Sequence, residues 1–329
     1  MSTGPSLEAT QRRRLLRIAG WTLAVYVMAR VGVSLANGLA DLRAHPLESH
    51  PNWGAIALSG VVFLLAHAVL VATWRAVLAC WHEHLPFWSA ARVWSVSNLG
   101  RYLPGKVWQI GVMGAMARQL SISPVAASGS ALLGTLVNIV AGFVVALVSG
   151  RALLVRQLPP EMRSLAIAAV VAAVMALLLM PFIIPRLAPV LGRLLGRPLA
   201  ATLPARAIIY SLVGNTLAWL AYGAAFQLFV RGVLGSAAGG YTSYLAAYTS
   251  SYLIGYIFLF APAGVGFREG AMLEFLQLAG LATHSQAALV TLTSRLWLTL
   301  LEVTPAIFFW AHYRMRRRSP TPDPSDVPT

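Results

Sequence analysis

Two stretches of this chain, residues 97–106 and 260–269, interrupt hydrophobic runs with Pro, Gly and fixed charge. A membrane helix is normally unbroken, because lipid offers no hydrogen-bond partner for a freed N–H or C=O group. A broken backbone at membrane depth is tolerated where protein buries it or where it lines a wet cavity, and in transporters such places form binding sites. The two breaks therefore predict where this chain binds a ligand.

The composition indicates an integral membrane protein. Of 329 residues, 58% are hydrophobic and only 11% are charged, whereas soluble domains carry about 25% charged residues. The formal charge is +15, but the arginines cluster at the ends of apolar runs. This placement is a topology signal and an attraction to anionic lipid, so we expect no nucleic-acid partner. The single Cys80 excludes an internal disulfide.

Six apolar runs are long enough to cross a bilayer. The Lys/Arg bias of the short loops places both termini in the cytoplasm. We expect the protein to lie in the inner membrane of the cell. Two further segments, about 88–120 and 241–282, are apolar in part but interrupted in the middle, and we expect each to enter and leave on one side. The six runs lie near 18–38, 54–79, 124–149, 164–184, 206–230 and 285–311.

An internal echo predicts that the two interrupted segments are related. Four residues of the first recur in the second at a constant offset of 158 (262 − 104). With the topology, this pattern predicts two halves of opposite orientation, an architecture of alternating-access carriers. The fold class we predict is all-α integral membrane, with six full transmembrane helices plus two opposed re-entrant helical hairpins arranged as an inverted repeat. The matching pairs are Pro104 and Pro262, Val107 and Val265, Gln119 and Gln277, and Leu120 and Leu278.

The chain divides accordingly into a basic cytoplasmic N-terminus, one membrane domain and a tail. The N-terminus covers residues 1–17 and the membrane domain 18–315, with halves at about 18–149 and 164–312. The basic, Pro-rich tail, 316–329, has the composition of a disordered end.

The first break carries the elements of an anion site. Lys106 is the only lysine in the chain, it follows Pro104 and Gly105, and Arg101 lies five residues before it. A helix that restarts after Pro-Gly offers a positive dipole end and free N–H donors. Arg and Lys beside it suit a phosphate. The alternative is that both cations reach to lipid headgroups at the cytoplasmic interface.

The second break is the more specific element. Gly264 and Gly266, which follow Pro262, permit positive φ and a close approach of ligand to backbone. Arg268 and Glu269 follow a strongly apolar run, so they are expected well below the surface, where a charge is a functional candidate. The alternative is structural ion pairing, either of Arg268 with Glu302 or of Glu269 with Arg295.

Three more charged residues fall inside predicted spans. Arg295 and Glu302 are seven residues apart on the last span and so lie roughly on one face. They can pair, line a cavity or relay protons. Arg30 lies in the middle of the first span and is a further candidate for lining the cavity. His82, Glu83 and His84 lack a nearby further ligand, so we predict no metal site and no cofactor.

The chain resembles the lysylphosphatidylglycerol synthase transmembrane-region family, which includes the flippase domain of the multiple peptide resistance factor and stand-alone proteins. The resemblance covers about 15–315. It rests on Asn98, Arg101 and Pro104-Gly105-Lys106 in the first half, and on Pro262, Gly264, Gly266, Arg268-Glu269 and then Arg295 in the second. The first half has Thr135-Leu136-Val137-Asn138 where many relatives carry a Glu–Arg pair.

The resemblance implies a lipid translocase and does not imply lysyl transfer. Its substrate would be a membrane phospholipid or a polyprenyl-phosphate-linked lipid. A second copy of the chain and a separate lipid-modifying enzyme both remain open as partners. Three other functions remain open from the residues: a secondary transporter of a small soluble anion, a membrane-embedded headgroup-modifying enzyme with Glu269 as base, and a scaffold for a glycosyltransferase.

Overall fold

The computed structural model describes residues 29–41, 43–44, 50–102, 107–194, 203–258 and 264–318. Throughout these ranges the regular structure is helical. Helix α1 covers residues 29–41 of the described chain, and ten more helices follow. They are α2 (Trp53–Ala79), α3 (Phe87–Asn98), α4 (Val107–Arg118), α5 (Pro124–Ser149), α6 (Arg151–Gln157), α7 (Pro160–Leu194), α8 (Ala205–Leu234), α9 (Tyr241–Ile257), α10 (Phe267–Leu278) and α11 (His284–Arg318).

Five helices in the described ranges are long and apolar enough to cross a membrane: α2, α5, α7, α8 and α11. They coincide with five of the six predicted runs, which confirms an all-α, multi-pass membrane protein. The remaining run, 18–38, lies mostly outside the described residues, so the count of six stays a prediction.

Short polar side chains cap the start of two of the long helices, α2 and α5. The Asn52 side chain accepts a hydrogen bond from the Ala55 N–H at 3.0 Å and caps α2. Ser123 does the same for α5 through the Ala126 N–H at 3.3 Å, with Pro124 in the first turn. Both residue types satisfy N–H groups that have no partner within the helix. At the other end of α8, Gly235 adopts a φ of 74° and ends the helix.

Helices α2 and α8 form the most extensive helix pair. Small residues bring them together, as is usual in membranes, where hydrophobic burial does not drive helices to associate. A side chain on Gly214 would overlap Thr73, and one on Gly232 would overlap Ile56. The interrupted segments contact this pair through their first helices: α3 packs on α2, and α9 packs on α8.

Both predicted breaks separate short helices that pack on each other. Helix α3 continues into a 3₁₀ turn, Leu99–Tyr102, and α4 begins at Val107. Helices α9 and α10 run antiparallel: Gly255 is next to Arg268, and the Ser251 hydroxyl lies 3.8 Å from the Met272 sulfur. The connecting residues 103–106 and 259–263 lie outside the described residues.

Helix α7 is attached to the rest of the protein by few contacts. Only 6% of its spanning window is buried inside the protein, against 56% for α8. Leu177 is its one buried hydrophobic side chain among the described residues, and it packs with parts of α2, α5 and α8. Most of the α7 surface is therefore apolar and available to lipid.

Candidate functional site

A cavity lined by aromatic side chains and by a few polar and charged ones lies between the two interrupted segments. The volume of this cavity, counted as the space open to the centres of water molecules, is about 140 Å³. Tyr102 and Gln109, which flank the first break, line it, and so do Tyr256 and Arg268, which flank the second. Helices α2, α5, α8 and α11 complete its walls. The described ends of both breaks therefore meet at one cavity.

Arg268 is the most unusual residue of this cavity. It lies in the first turn of α10 and is only 8% exposed. Its guanidinium carbon lies 5.0 Å from the ring centre of Tyr252 and 5.6 Å from that of Tyr248. In the described part of the chain its Nη2 atom is buried without a hydrogen-bond partner. An unsatisfied buried donor is costly, so this atom indicates a site built for something else to bind.

The aromatic wall beneath Arg268 is a ladder of tyrosines on α9. Successive rings of Tyr248, Tyr252 and Tyr256 have centres 6.5 and 6.3 Å apart and stack at 28° and 18°. The spacing of four residues places them on one helix face. Their ring faces attract a cation, which holds the Arg268 side chain in position. The four-residue spacing of these tyrosines is visible in the sequence, but it was not used to predict the site.

Glu269 stabilises the N-terminus of α10. Its Oε2 accepts a hydrogen bond from the Gly266 N–H at 2.6 Å, and its Oε1 lies 3.5 Å from Arg295 Nη1. Gly266 has a φ of 86°, which favours glycine. The ion pair of Glu269 with Arg295, one of the two alternatives from the sequence, is thus present. It ties α10 to α11.

Replacing Glu269 by Ala is expected to lower the free energy of unfolding by about 2 kcal/mol, since it leaves the Gly266 N–H and Arg295 without this carboxylate. Denaturation of the purified protein in detergent measures the change. Glu274→Ala is the matched control, because Glu274 lies on the same helix but is exposed, and surface changes cost within about 0.5 kcal/mol. Equal losses in both variants would contradict a structural role for the ion pair.

Glu302 joins the last long helix to the first break. It is 9% exposed, and its Oε2 accepts a hydrogen bond from the Tyr102 hydroxyl at 2.7 Å. Both Glu302 and Arg295 line the cavity, which is one of the three roles that the sequence left open for them. Tyr102 was not singled out from the sequence, because its partner lies 200 residues away.

Neutral polar groups occupy the cavity wall formed by α5 and α8. The Asn138 amide donates to Asn215 Oδ1 at 2.9 Å, and the Trp219 indole N–H donates to the Asn138 carbonyl at 3.0 Å. Thr135 lines the same wall. Thr135 and Asn138 belong to the segment Thr135-Leu136-Val137-Asn138, which departs from the pattern of the resembled family. Its position at the cavity was not predicted from the sequence.

Several predicted site residues lie elsewhere or outside the described residues. Pro104, Gly105, Lys106 and Pro262 are outside them, and Arg101 is described only as part of the 3₁₀ turn. Gly264 has a φ of 69° and lies against the backbone of Gly255. Arg30 is exposed on α1 and is not among the residues lining the cavity. The described chain holds no cluster of three metal-ligating side chains.

Four described charges lie at or beside the cavity. Arg268, Arg295 and Glu302 line it, and Glu302 also bonds Tyr102. Glu269 does not line it but pairs with Arg295, and the formal charges of the four side chains cancel (2 − 2). The arrangement itself can hold a ligand with both an anionic group and neutral hydrogen-bonding groups.

The fold and the cavity together define an all-helical, multi-pass membrane protein with charged side chains buried beside interrupted helices. No protein-family model matches the chain, and no curated protein matches it significantly.

Proposed function

We propose that this protein is a membrane lipid translocase that moves an anionic or phosphate-bearing lipid between leaflets by alternating access. We propose further that it belongs to the family it resembles. The observation that carries the proposal is the buried Arg268, which lines the large cavity and whose Nη2 lacks a partner in the described part of the chain. A phosphate oxygen is the acceptor that this donor suits best.

The arrangement of the helices supports alternating access. In the proposed architecture, the 18–38 run is a sixth span, and α3–α4 and α9–α10 are re-entrant hairpins that enter from opposite faces. The described ends of both hairpins border one cavity, as expected of inverted repeats with a site between them. Rocking of one half against the other would open this cavity to each leaflet in turn.

The proposed mechanism moves the headgroup through protein while the hydrocarbon chains stay in lipid. Arg268 and Arg295 bind the phosphate, helped by Arg101 and Lys106 when the first hairpin closes on it. The carboxylates of Glu269 and Glu302 balance these cations while the cavity is empty, which lowers the cost of keeping them out of water. Arriving phosphate then competes with the carboxylates, so binding and release need no large change in net charge.

Reconstitution into liposomes tests this function. We expect the purified protein to exchange fluorescent phosphatidylglycerol between leaflets faster than empty liposomes do, measured by quenching of the outer-leaflet label. The phosphate anchor predicts faster exchange of this anionic lipid than of a labelled ceramide, which has no phosphate.

Two results would contradict the proposal. One is an exchange rate equal to that of empty liposomes across anionic, zwitterionic and glycosylated lipids. The other is uptake of radiolabelled inorganic phosphate without lipid exchange, which would favour a carrier of a small soluble anion. Chemical change of the lipid headgroup, read by mass spectrometry, would instead favour an enzyme.

A further inference from the structure

A second, smaller cavity lies behind the guanidinium of Arg268. It shares Arg268, Arg295 and Leu298 with the large cavity, and all of its lining residues belong to α10 and α11. The space open to the centre of a water-sized particle is about 10 Å³. The cavity therefore holds one such particle. Its remaining walls are Glu269, Met272, Thr291 and Ser294.

Two of its lining residues carry buried polar atoms that lack a partner in the described ranges. One is Nη2 of Arg268, and the other is Oγ1 of Thr291, a residue only 1% exposed. Buried polar groups almost always have a hydrogen-bond partner, so each exception requires an explanation. Two exceptions around one particle-sized cavity are explained together by a single ligand in it.

The chemistry of the walls favours an acceptor. The Ser294 hydroxyl already donates to the Thr291 carbonyl at 2.8 Å. The two oxygens of Glu269 already face the Gly266 N–H and Arg295. The groups left over are the Arg268 N–H and the Thr291 hydroxyl, which both donate.

The charge of the walls also favours an anion. Two guanidinium groups and one carboxylate line the cavity, a formal excess of one positive charge (2 − 1). The site lies at the first turn of α10, where the helix dipole is positive. Glu302 lines only the large cavity, on the other side of the same arginines.

We propose that this cavity binds one small monovalent inorganic anion of about the size of chloride, held by the guanidinium groups of Arg268 and Arg295 and by the Thr291 hydroxyl. The thioether of Met272 forms one wall, and its flexibility accommodates an ion somewhat larger than water. The anion fixes one edge of the Arg268 guanidinium, so that the other is oriented toward the large cavity. This site shares Arg268 and Arg295 with the proposed headgroup site, but its test does not require lipid transport.

Thermal unfolding of the full-length protein in detergent tests the proposal. We expect sodium chloride to raise the melting temperature saturably relative to sodium gluconate of equal ionic strength, because a ligand that binds the folded state stabilises it. Thr291→Val should weaken the apparent chloride affinity by about tenfold or more, as expected for a lost hydrogen bond to a charged partner. Thr293→Val is the matched control, since that hydroxyl donates to the Leu289 carbonyl and should leave the affinity unchanged.

Crystals grown in bromide give a direct second measurement. An anomalous peak between Arg268 and Thr291 is expected in the native protein, and this peak decides the matter even where Thr291→Val does not fold. Density for a water alone, without an anomalous peak, would overturn the proposal. So would chloride titrations that are the same for the native protein and Thr291→Val.

Discussion

Arg268→Ala is expected to slow leaflet exchange of phosphatidylglycerol in liposomes about 30- to 100-fold. A charge-assisted hydrogen bond contributes roughly 2–3 kcal/mol, and each 1.4 kcal/mol corresponds to a factor of ten. Arg268→Lys keeps the charge but loses the planar pair of donors, so its rate should fall between those of the native protein and the Ala variant. The measurement is the initial rate of label quenching at matched protein density.

We expect Arg268→Ala to change the melting temperature of the protein much less than its lipid-exchange rate. Removal of Arg268 loses its contacts with the rings of Tyr248 and Tyr252 but also removes a buried Nη2 that lacks a partner in the described structure, so the melting temperature is expected to fall far less than the exchange rate. Arg186→Ala is the control for the loss of one Arg, since Arg186 is exposed on α7 and bonds only the Phe182 carbonyl of its own helix among the described residues. Equal exchange rates in both variants would remove Arg268 from the proposed site.

Gly264→Ala is expected to lower the free energy of unfolding by about 4 kcal/mol, a larger effect on stability than that of Glu269→Ala. The φ of 69° costs an L-residue about 1–2 kcal/mol. A Cβ atom would also lie 2.6 Å from the carbonyl oxygen and 2.8 Å from the Cα of Gly255. Overpacking of this kind costs roughly 1–3 kcal/mol, and no side chain can rotate away to relieve it, because the atoms it meets are backbone.

Gly280→Ala separates these two contributions. Gly280 has a similar φ of 64°, but nothing lies within 4 Å of the position of its Cβ. It should therefore lose only about 1 kcal/mol, the conformational part of the cost. Chemical denaturation in mixed micelles measures both variants. A loss at Gly264 no greater than at Gly280 would mean that α9 and α10 are not packed backbone to backbone there.

The features predicted from the sequence are those that one segment of chain determines by itself. Five spans follow from length and hydropathy, and the interruption of α9–α10 follows from Gly264 and Gly266, whose positive φ values the structure shows. Burial of Arg268 and Glu269 was predicted from the apolar run before them. In each case the information lies within a few neighbouring residues.

The features that the sequence analysis missed depend on distant segments meeting. The bond from Tyr102 to Glu302 joins residues 200 positions apart, and that from Asn138 to Asn215 joins residues 77 apart. Each residue alone is an ordinary polar side chain in an apolar run. The sequence also left two ion pairs open for Glu269, and only the packing of α10 on α11 selects Arg295.

Helix α7 is surrounded mainly by lipid and packs on a helix that lines the cavity. The bilayer therefore influences the shape of the cavity through α7. Arg163 and Arg186 are 23 residues apart (186 − 163), which corresponds to about 35 Å along the helix, close to the roughly 30 Å of a hydrocarbon core. Since few side chains hold α7, a thinner or thicker membrane changes its tilt before it disturbs the central helices. Helix α7 packs on α5, which carries Asn138, so lipids of different chain length should alter the shape of the large cavity without entering it.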